Sequence, residues 1–335
     1  MLTSGGWSHA SSRIRAAQVA PLLDPPFRAT WRPRVADGGG RVGRAVAKRW
    51  ATLRRASAVA FGPVDVVLAQ RIALAPWQLR RLRARRIPLV YDLDDALYLD
   101  APAATARMVA AATRVVVSAP ALVPFCAAHG RTPAARAPAV IPTPVDTGRV
   151  TPAADPPDVF TVGWMGSPWT SPYLAALAGP LAELARHREV RILLVGAAPD
   201  ALAGLENVQR VAWAFDGEPD ALRRMSVGVM PLPDDEWTRA KGGYKLLAYM
   251  AAGLPCVASP VGVNREIVEP GATGLWATTP DEWAEALLAL CDDAGLRAAM
   301  GREGRIRAER TYSRDVCAAA LRDVLVEAVT AGVAP

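Results

Sequence analysis

KGGYKLLAYMAAGLPCVASPVGVNREIVE, residues 241–269, reads as one turn–helix–turn–strand–turn unit. Gly242 and Gly243 precede a helical run over Tyr244–Ala252. Gly253 and Pro255 stop that run, and the apolar stretch Pro255–Ser259 forms a short strand before the next glycine. The same alternation extends in both directions. Upstream, strands are expected at Val159–Trp164, Val190–Val195, Val208–Ala212 and Val227–Met230, with helices at Pro172–Arg186 and Glu218–Arg224. Downstream, helices are expected at Pro280–Cys291, Ala294–Arg310 and Ser313–Val329, the last opened by an N-cap serine. The first half repeats the pattern with strands Val64–Ala69, Pro88–Asp92, Arg114–Val117 and Ala139–Ile141, and amphipathic segments Arg13–Leu22 and Gly43–Ser57. Between the halves, Val145–Asp158 is rich in Pro, Asp and Thr, has no periodicity, and reads as a linker. Strands alternating with helices mean α/β architecture with parallel sheets. Two sheets imply a cleft with ligands at the carboxyl ends of the strands, so the residues just after each strand are the candidates.

Bulk properties agree with a soluble, well-packed chain. Of 335 residues 51% are apolar, enough for two cores and too many for disorder. The net charge of +7 admits nucleic acid, an anionic membrane surface or a phosphorylated ligand as partner, although an Arg-rich, Ala-rich composition weakens the signal. Arg80, Arg81, Arg83, Arg85 and Arg86 form the densest cluster, read as a solvated face, with a peripheral membrane contact through Arg80–Arg86 as the alternative. No aromatic residues interleave with them, which argues against nucleic acid. Cys126, Cys256, Cys291 and Cys317 show no CxxC spacing, and His9, His129 and His187 are scattered, so no zinc site and no metal are expected. Reduced thiols, no apolar run of about 18 residues and no basic-then-apolar leader point to the cytoplasm, peripheral at the inner membrane face in the alternative. No convincing strand precedes Ser11: either the chain begins late or that strand is very short.

Chemistry concentrates around the quoted segment. Lys241 and Lys245 are four apart, on one face of a helix start. Two such ammonium groups repel by about 0.2–0.5 kcal/mol unless an anion lies between them. Gly242 and Gly243 bare the backbone where helix N–H groups can touch phosphate. Together these describe a diphosphate cradle; the alternative is a flexible glycine turn with solvated lysines. No Gly-Lys-Ser/Thr follows a GxxxxG, so this is not a P-loop.

The run Lys245–Glu269, with VGWMGSPWTSPYL (Val162–Leu174), resembles the donor half of glycosyltransferase family 4. The similarity extends through VIPTPVDTGR (Val140–Arg149), YDLDDALYL (Tyr91–Leu99) and SSRIR (Ser11–Arg15), nearly the whole chain. The resemblance implies a GT-B fold: two Rossmann-like domains facing across a cleft, with the C-terminal helix crossing back to the first. It implies an acceptor-side domain over 1–150 plus 313–335, and a donor domain over 158–312. It implies a retaining, metal-independent transfer from a nucleotide-sugar donor to a small-molecule, glycan or lipid-linked acceptor, with no cofactor beyond the donor and no nucleic acid. The return helix carries Val316, Ala320, Val324 and Ala328 at helical spacing.

Carried over by residue, the resemblance places the donor diphosphate near Lys241, Gly243 and Lys245, with the turn Gly166–Ser167 approaching the same phosphates. Val261, Gly262, Asn264 and Glu266 lie on the loop that contacts sugar and phosphate. The base falls near Gly196 and Ala212–Phe215, where Trp213 or Phe215 stacks on it or belongs to the core. Asp92, Asp94 and Asp95 end a strand; Asp94 and Asp95 accept from sugar hydroxyls, cap a helix near Ala96, or bind a metal loosely. Ser12 and Arg13 lie on the acceptor side with Asp92, Arg13 reaching a phosphate or carboxylate, while the serines equally serve as N-caps. The pattern breaks at Ala240 and Ala248, where many members carry two glutamates. The first is often replaced in the branch this chain most resembles; losing the second puts ribose recognition and activity in question. The rival reading is therefore a non-catalytic protein of the same fold that binds a sugar nucleotide or a partner; an epimerase or phosphorylase is a weaker one.

Overall fold

The computed structural model describes residues 1–33, 57 and 61–333. Of the expected amphipathic segment Gly43–Ser57, all but Ser57 lies outside the described residues. The chain divides into two compact units. The first contains Met1–Pro144, Arg239–Gly242 and the last helix, Arg314–Val333; the second contains Val145–Thr238 and Gly243–Ser313.

The first unit is built on a six-stranded parallel sheet: β1 (Leu2–Thr3), β2 (Arg32–Pro33), β3 (Val67–Gln70), β4 (Leu89–Leu93), β5 (Arg114–Val117) and β6 (Ala139–Val140), in the order β2-β1-β3-β4-β5-β6. The strand before Ser11 exists and is two residues long, which leaves no periodicity to read. Leu2 and Thr3 are both buried and pair with β2 and β3 on either side. Strand β2 ends in Pro33, which has no N–H for a further ladder partner and suits the sheet edge it occupies.

The second unit repeats the plan with β7 (Phe160–Met165), β8 (Val190–Val195), β9 (Val208–Val211), β10 (Val227–Met230), β11 (Cys256–Ala258) and β12 (Gly274–Trp276), in the order β12-β11-β10-β7-β8-β9. Every pairing is parallel. The expected helix over Pro172–Arg186 divides into a 3-10 stretch, Pro168–Leu177, and an α-helix, Ala178–His187. Pro172 lacks the N–H that an α-helical turn needs there. The segment Val145–Asp158 is anchored at its start rather than free: Val145 N donates to the Tyr312 carbonyl at 2.8 Å, and Asp146 Oδ1 accepts from Arg149 N at 3.0 Å. The second unit thus opens at Val145, earlier than the expected 158, and the four residues Arg239–Gly242 belong to the first.

Each unit has its own core. In the second, Val162, Trp164, Leu177, Ile192, Leu194 and Trp283 pack between sheet and helices. In the first, the last helix buries Cys317, Ala318, Leu321, Val324, Leu325 and Ala328 against Val19, Leu23, Leu68, Val90 and Val116. Of the expected stripe, Val324 and Ala328 are buried, whereas Val316 is 42% exposed and Ala320 is exposed, and Cys317 and Leu321 face inward in the first two turns. Arg322 Nη2 fastens the same helix to the Leu22 carbonyl at 2.6 Å.

Leu325→Ala removes buried volume from this contact and is expected to cost about 2–5 kcal/mol in urea unfolding. Val326→Ala, one residue on and facing solvent, should change stability by less than about 0.5 kcal/mol. Equal effects would contradict this packing.

Candidate functional site

In the second unit, side chains are missing where strand ends and a helix start crowd together. A Cβ added at Gly166, just after β7, would lie 2.3 Å from the Trp164 ring and 2.9 Å from Lys245 Cε. Lys245 Nζ sits 5.3 Å from the centre of that ring, within cation–π range. Gly196, after β8, brings its backbone against the Gly166 carbonyl and Trp213, so the ends of β7, β8 and β9 meet in one place. Gly243 precedes the helix Tyr244–Ala251 with φ +68°, a conformation that favours glycine. A Cβ there would fall 2.3 Å from Ile267 Cδ1, so the loop from Val261 packs directly on the helix start. Tyr249, fully buried, accepts from Met165 N at 3.0 Å and holds the helix to the end of β7.

The structure therefore brings Gly166, Lys245, Gly243 and the Val261–Glu266 loop to the carboxyl edge of one sheet. Ser167 follows Gly166 and its carbonyl accepts from Thr170 Oγ1 and Ser171 Oγ. Asn264 is buried and spends its side-chain amide on the Ser259 carbonyl at 3.0 Å, shaping the loop. Gly262 has φ +52°, Val261 is buried, and the Glu266 side chain is exposed while its carbonyl accepts from Tyr312. Ala240 and Ala248 are both fully buried.

Lys241 and Lys245 do not share a helix face. The helix begins at Tyr244, after the left-handed Gly243, and Lys241 precedes it in a non-helical stretch that clusters with the first unit. There Gly242 lies against Thr143, whose Oγ1 would be 2.1 Å from an added Cβ, and the Lys241 charge acts on Asp95.

The carboxyl edge of the first sheet is a polar network. Arg15 grips Asp92 through Nε (3.0 and 3.2 Å) and Nη2 (2.7 Å), and its Nη1 donates to the Ile141 and Pro142 carbonyls, each at 3.1 Å. Both residues are buried, and Asp92 is the partner of the Arg15 charge. Asp94 is buried too, taking Gln70 Nε2 at 3.2 Å and Arg71 Nη1 at 3.3 Å. Arg71 also donates to Asp95. Burial opposes the Arg71 charge, but Asp94 and Asp95 outweigh it and raise its pKa. Burial and neighbouring Asp94 raise the Asp95 pKa, against Arg71 and Lys241. Neither carboxylate caps the helix at Leu97–Asp100, whose N-cap Ala96 has no side-chain bond. Among the described residues no three His, Cys, Asp or Glu side chains converge as a metal-ligand set.

Ser12 is buried, its Oγ accepting from Gly5 N at 3.1 Å and donating to Gln70 Oε1 at 3.4 Å. Arg13 donates to the Trp7 carbonyl at 2.9 Å. Ser12 ties the loop after β1 to β3, and Arg13 bonds to that same loop. Gln70 and Arg71 carry no sequence signal of their own: the expected strand ends at Ala69, whereas β3 runs on to Gln70. Glu218 also escaped. It is 1% exposed and accepts from Arg149, Trp213 and Tyr244. In sequence it is one acidic residue at a helix start, where acidic residues are common.

The arginine cluster lies on the helix Pro76–Ala84 and the turn after it. Arg80, Arg81, Arg83 and Arg86 are exposed, and two aromatics join them: Trp77 on the same helix and Phe61, over whose ring Arg81 lies at 5.8 Å. No described helix is long and apolar enough to cross a membrane.

Residues 156–293 match the family model of the glycosyl transferases group 1. The second unit carries a glycosyltransferase domain. Over the whole chain, the fold is that of GT-B glycosyltransferases. A sucrose-phosphate synthase from Thermosynechococcus elongatus is similar at TM-score 0.73 with 16% identity, covering 98% of each chain. HepE from Anabaena, solved with UDP, is similar at TM-score 0.69 and 18% identity, covering 97% of this chain and 98% of that chain. WaaG, of lipopolysaccharide biosynthesis, reaches TM-score 0.69 at 14% identity, with 97% and 98% covered. No curated protein matches by sequence.

Asp92→Ala strands the buried Arg15 charge and is expected to cost about 3–5 kcal/mol in urea unfolding, most of it recovered in Arg15→Met/Asp92→Leu. Wild-type stability in Asp92→Ala combined with lost activity would return Asp92 to the acceptor.

Proposed function

We propose that this glycosyltransferase belongs to family 4 and moves a sugar from a nucleotide-sugar donor to a small-molecule, glycan or lipid-linked acceptor, with retention and without a metal ion. The observation that carries the reading is the start of the helix Tyr244–Ala251. The left-handed Gly243 and the side-chain-free Gly166 bring the helix start and Lys245 together at the edge of the second sheet. A helix N-terminus beside an ammonium group suits a diphosphate. HepE, a protein of similar fold, was solved with UDP-glucose, which supports a nucleotide-sugar ligand.

The chemical burden in this reaction is the negative charge growing on the departing diphosphate. Preorganised donors answer it at no reorganisation cost during the step, each worth about 3–4 kcal/mol. Lys245, steadied over Trp164, and the helix amides supply them in the second unit. Lys241 retains the same assignment from the family resemblance, with its charge balanced by Asp95. No nucleophilic side chain is required if the leaving phosphate assists deprotonation of the acceptor on the same face of the sugar, as the resemblance implies. Asp94 and Asp95, gathered on Arg71, are the carboxylates we assign to the reacting sugar side.

The test is turnover of nucleotide sugars, read as nucleoside diphosphate released with and without acceptor sugars. Lys245→Ala and Lys241→Ala should each lower it by about a hundredfold or more, with weaker binding of the nucleoside diphosphate, and EDTA should leave the wild-type rate intact. Unchanged binding in both variants removes the cradle. Loss with EDTA that Mn²⁺ or Mg²⁺ restores removes metal independence.

A further inference from the structure

Three stretches of the second unit end on one buried carboxylate. Glu218 Oε1 accepts from Arg149 Nη2 at 2.5 Å and from the Tyr244 hydroxyl at 3.0 Å, and Oε2 accepts from Trp213 Nε1 at 2.9 Å. Arg149 also donates through Nη1 to the Phe215 carbonyl at 2.8 Å, and its guanidinium lies 4.0 Å from the centre of the Phe215 ring. A charge this buried is costly unless it is paired and fully hydrogen-bonded, and here both conditions are met. The transfer described above makes no use of it.

What the carboxylate joins is specific. Trp213 and Phe215 follow β9, where the donor base is placed. Tyr244 is the first residue of the helix whose start is placed at the diphosphate, and it immediately precedes Lys245. We propose that Glu218 is a positioning residue: by holding Trp213 and Tyr244 on one anion, with Arg149 as counter-ion, it fixes the spacing between the nucleoside and diphosphate ends of the donor site. This rests on the nucleotide-sugar reading above. Glutamine cannot replace it. An amide offers one acceptor oxygen and one NH₂, so whichever way it turns, its NH₂ faces either the Trp213 N–H or the Arg149 guanidinium. Two subsites at the right spacing make the second contact of a linked ligand intramolecular, and a spacing error forfeits that gain without touching either fragment.

The experiment compares the wild-type chain with Glu218→Gln for binding of UDP, GDP, ADP, CDP and dTDP. It then measures the nucleoside of the tightest binder, and inorganic pyrophosphate, by competition. Glu218→Gln should weaken the nucleoside diphosphate by about tenfold or more, while nucleoside and pyrophosphate stay within about twofold. Tyr244→Phe, which removes one arm and keeps the ring, should show the same selective loss in smaller measure, and carries the test if Glu218→Gln fails to fold. Equal losses for the whole ligand and its fragments, or no loss for the whole ligand, overturn the inference. A wild-type chain that binds none of the five overturns the donor reading itself, and this inference with it.

Discussion

The donor unit depends on how closely its backbone can approach itself at the edge of the sheet. At Gly166 there is no room for a methyl group between Trp164 and Lys245, and at Gly243 the chain must turn left-handed with Ile267 against it. These two constraints aim the first turn of the helix Tyr244–Ala251 at the space beyond β7. Any side chain at Gly166 would press on Trp164 and Lys245. The remaining devices serve that arrangement: Tyr249 ties the helix to Met165, Asn264 shapes the facing loop, and Glu218 ties the first helical residue to the end of β9.

The first unit treats its strand ends differently. Its carboxyl edge is filled by charge: Arg15 on Asp92, and Arg71 on Asp94 and Asp95. Replacing a buried ion pair with apolar groups is often neutral, whereas breaking one strands a charge. Arg15 gains more than Asp92, however, since it also reaches the Ile141 and Pro142 carbonyls and so draws the ends of β4 and β6 and the turn at Arg13–Ala17 together. The last helix, buried along Cys317, Leu321 and Leu325, closes the same unit from the other end of the chain.

Much of this was legible in the residues. The strands Arg114–Val117, Val190–Val195 and Val227–Met230 appear as read, because each is a short, mostly apolar, Val-rich stretch bounded by polar or turn residues. The short strands β1, β2 and β12 were not legible, although β6 and β11, equally short, were read from the apolar residues around them. Gly166, Gly243 and Lys245 could be picked out from glycine and charge at a helix start. Arg71 and Glu218 could not, because what distinguishes them is convergence: two carboxylates on one guanidinium, three donors on one carboxylate. The reading of Lys241 and Lys245 as partners on one helix face failed for a local reason. Spacing of four implies a shared face only where the backbone is already helical, and the left-handed Gly243 delays the helix until Tyr244.

The most direct measurement of the account is calorimetric titration of Gly166→Ala with the nucleoside diphosphate that the wild-type chain binds best, alongside its thermal melt. The bare edge of β7 as the diphosphate seat predicts a loss of affinity of about tenfold or more, with the cooperative melt retained, because the added methyl displaces Lys245 and fills the space before the helix start. Wild-type affinity in a folded Gly166→Ala would contradict it.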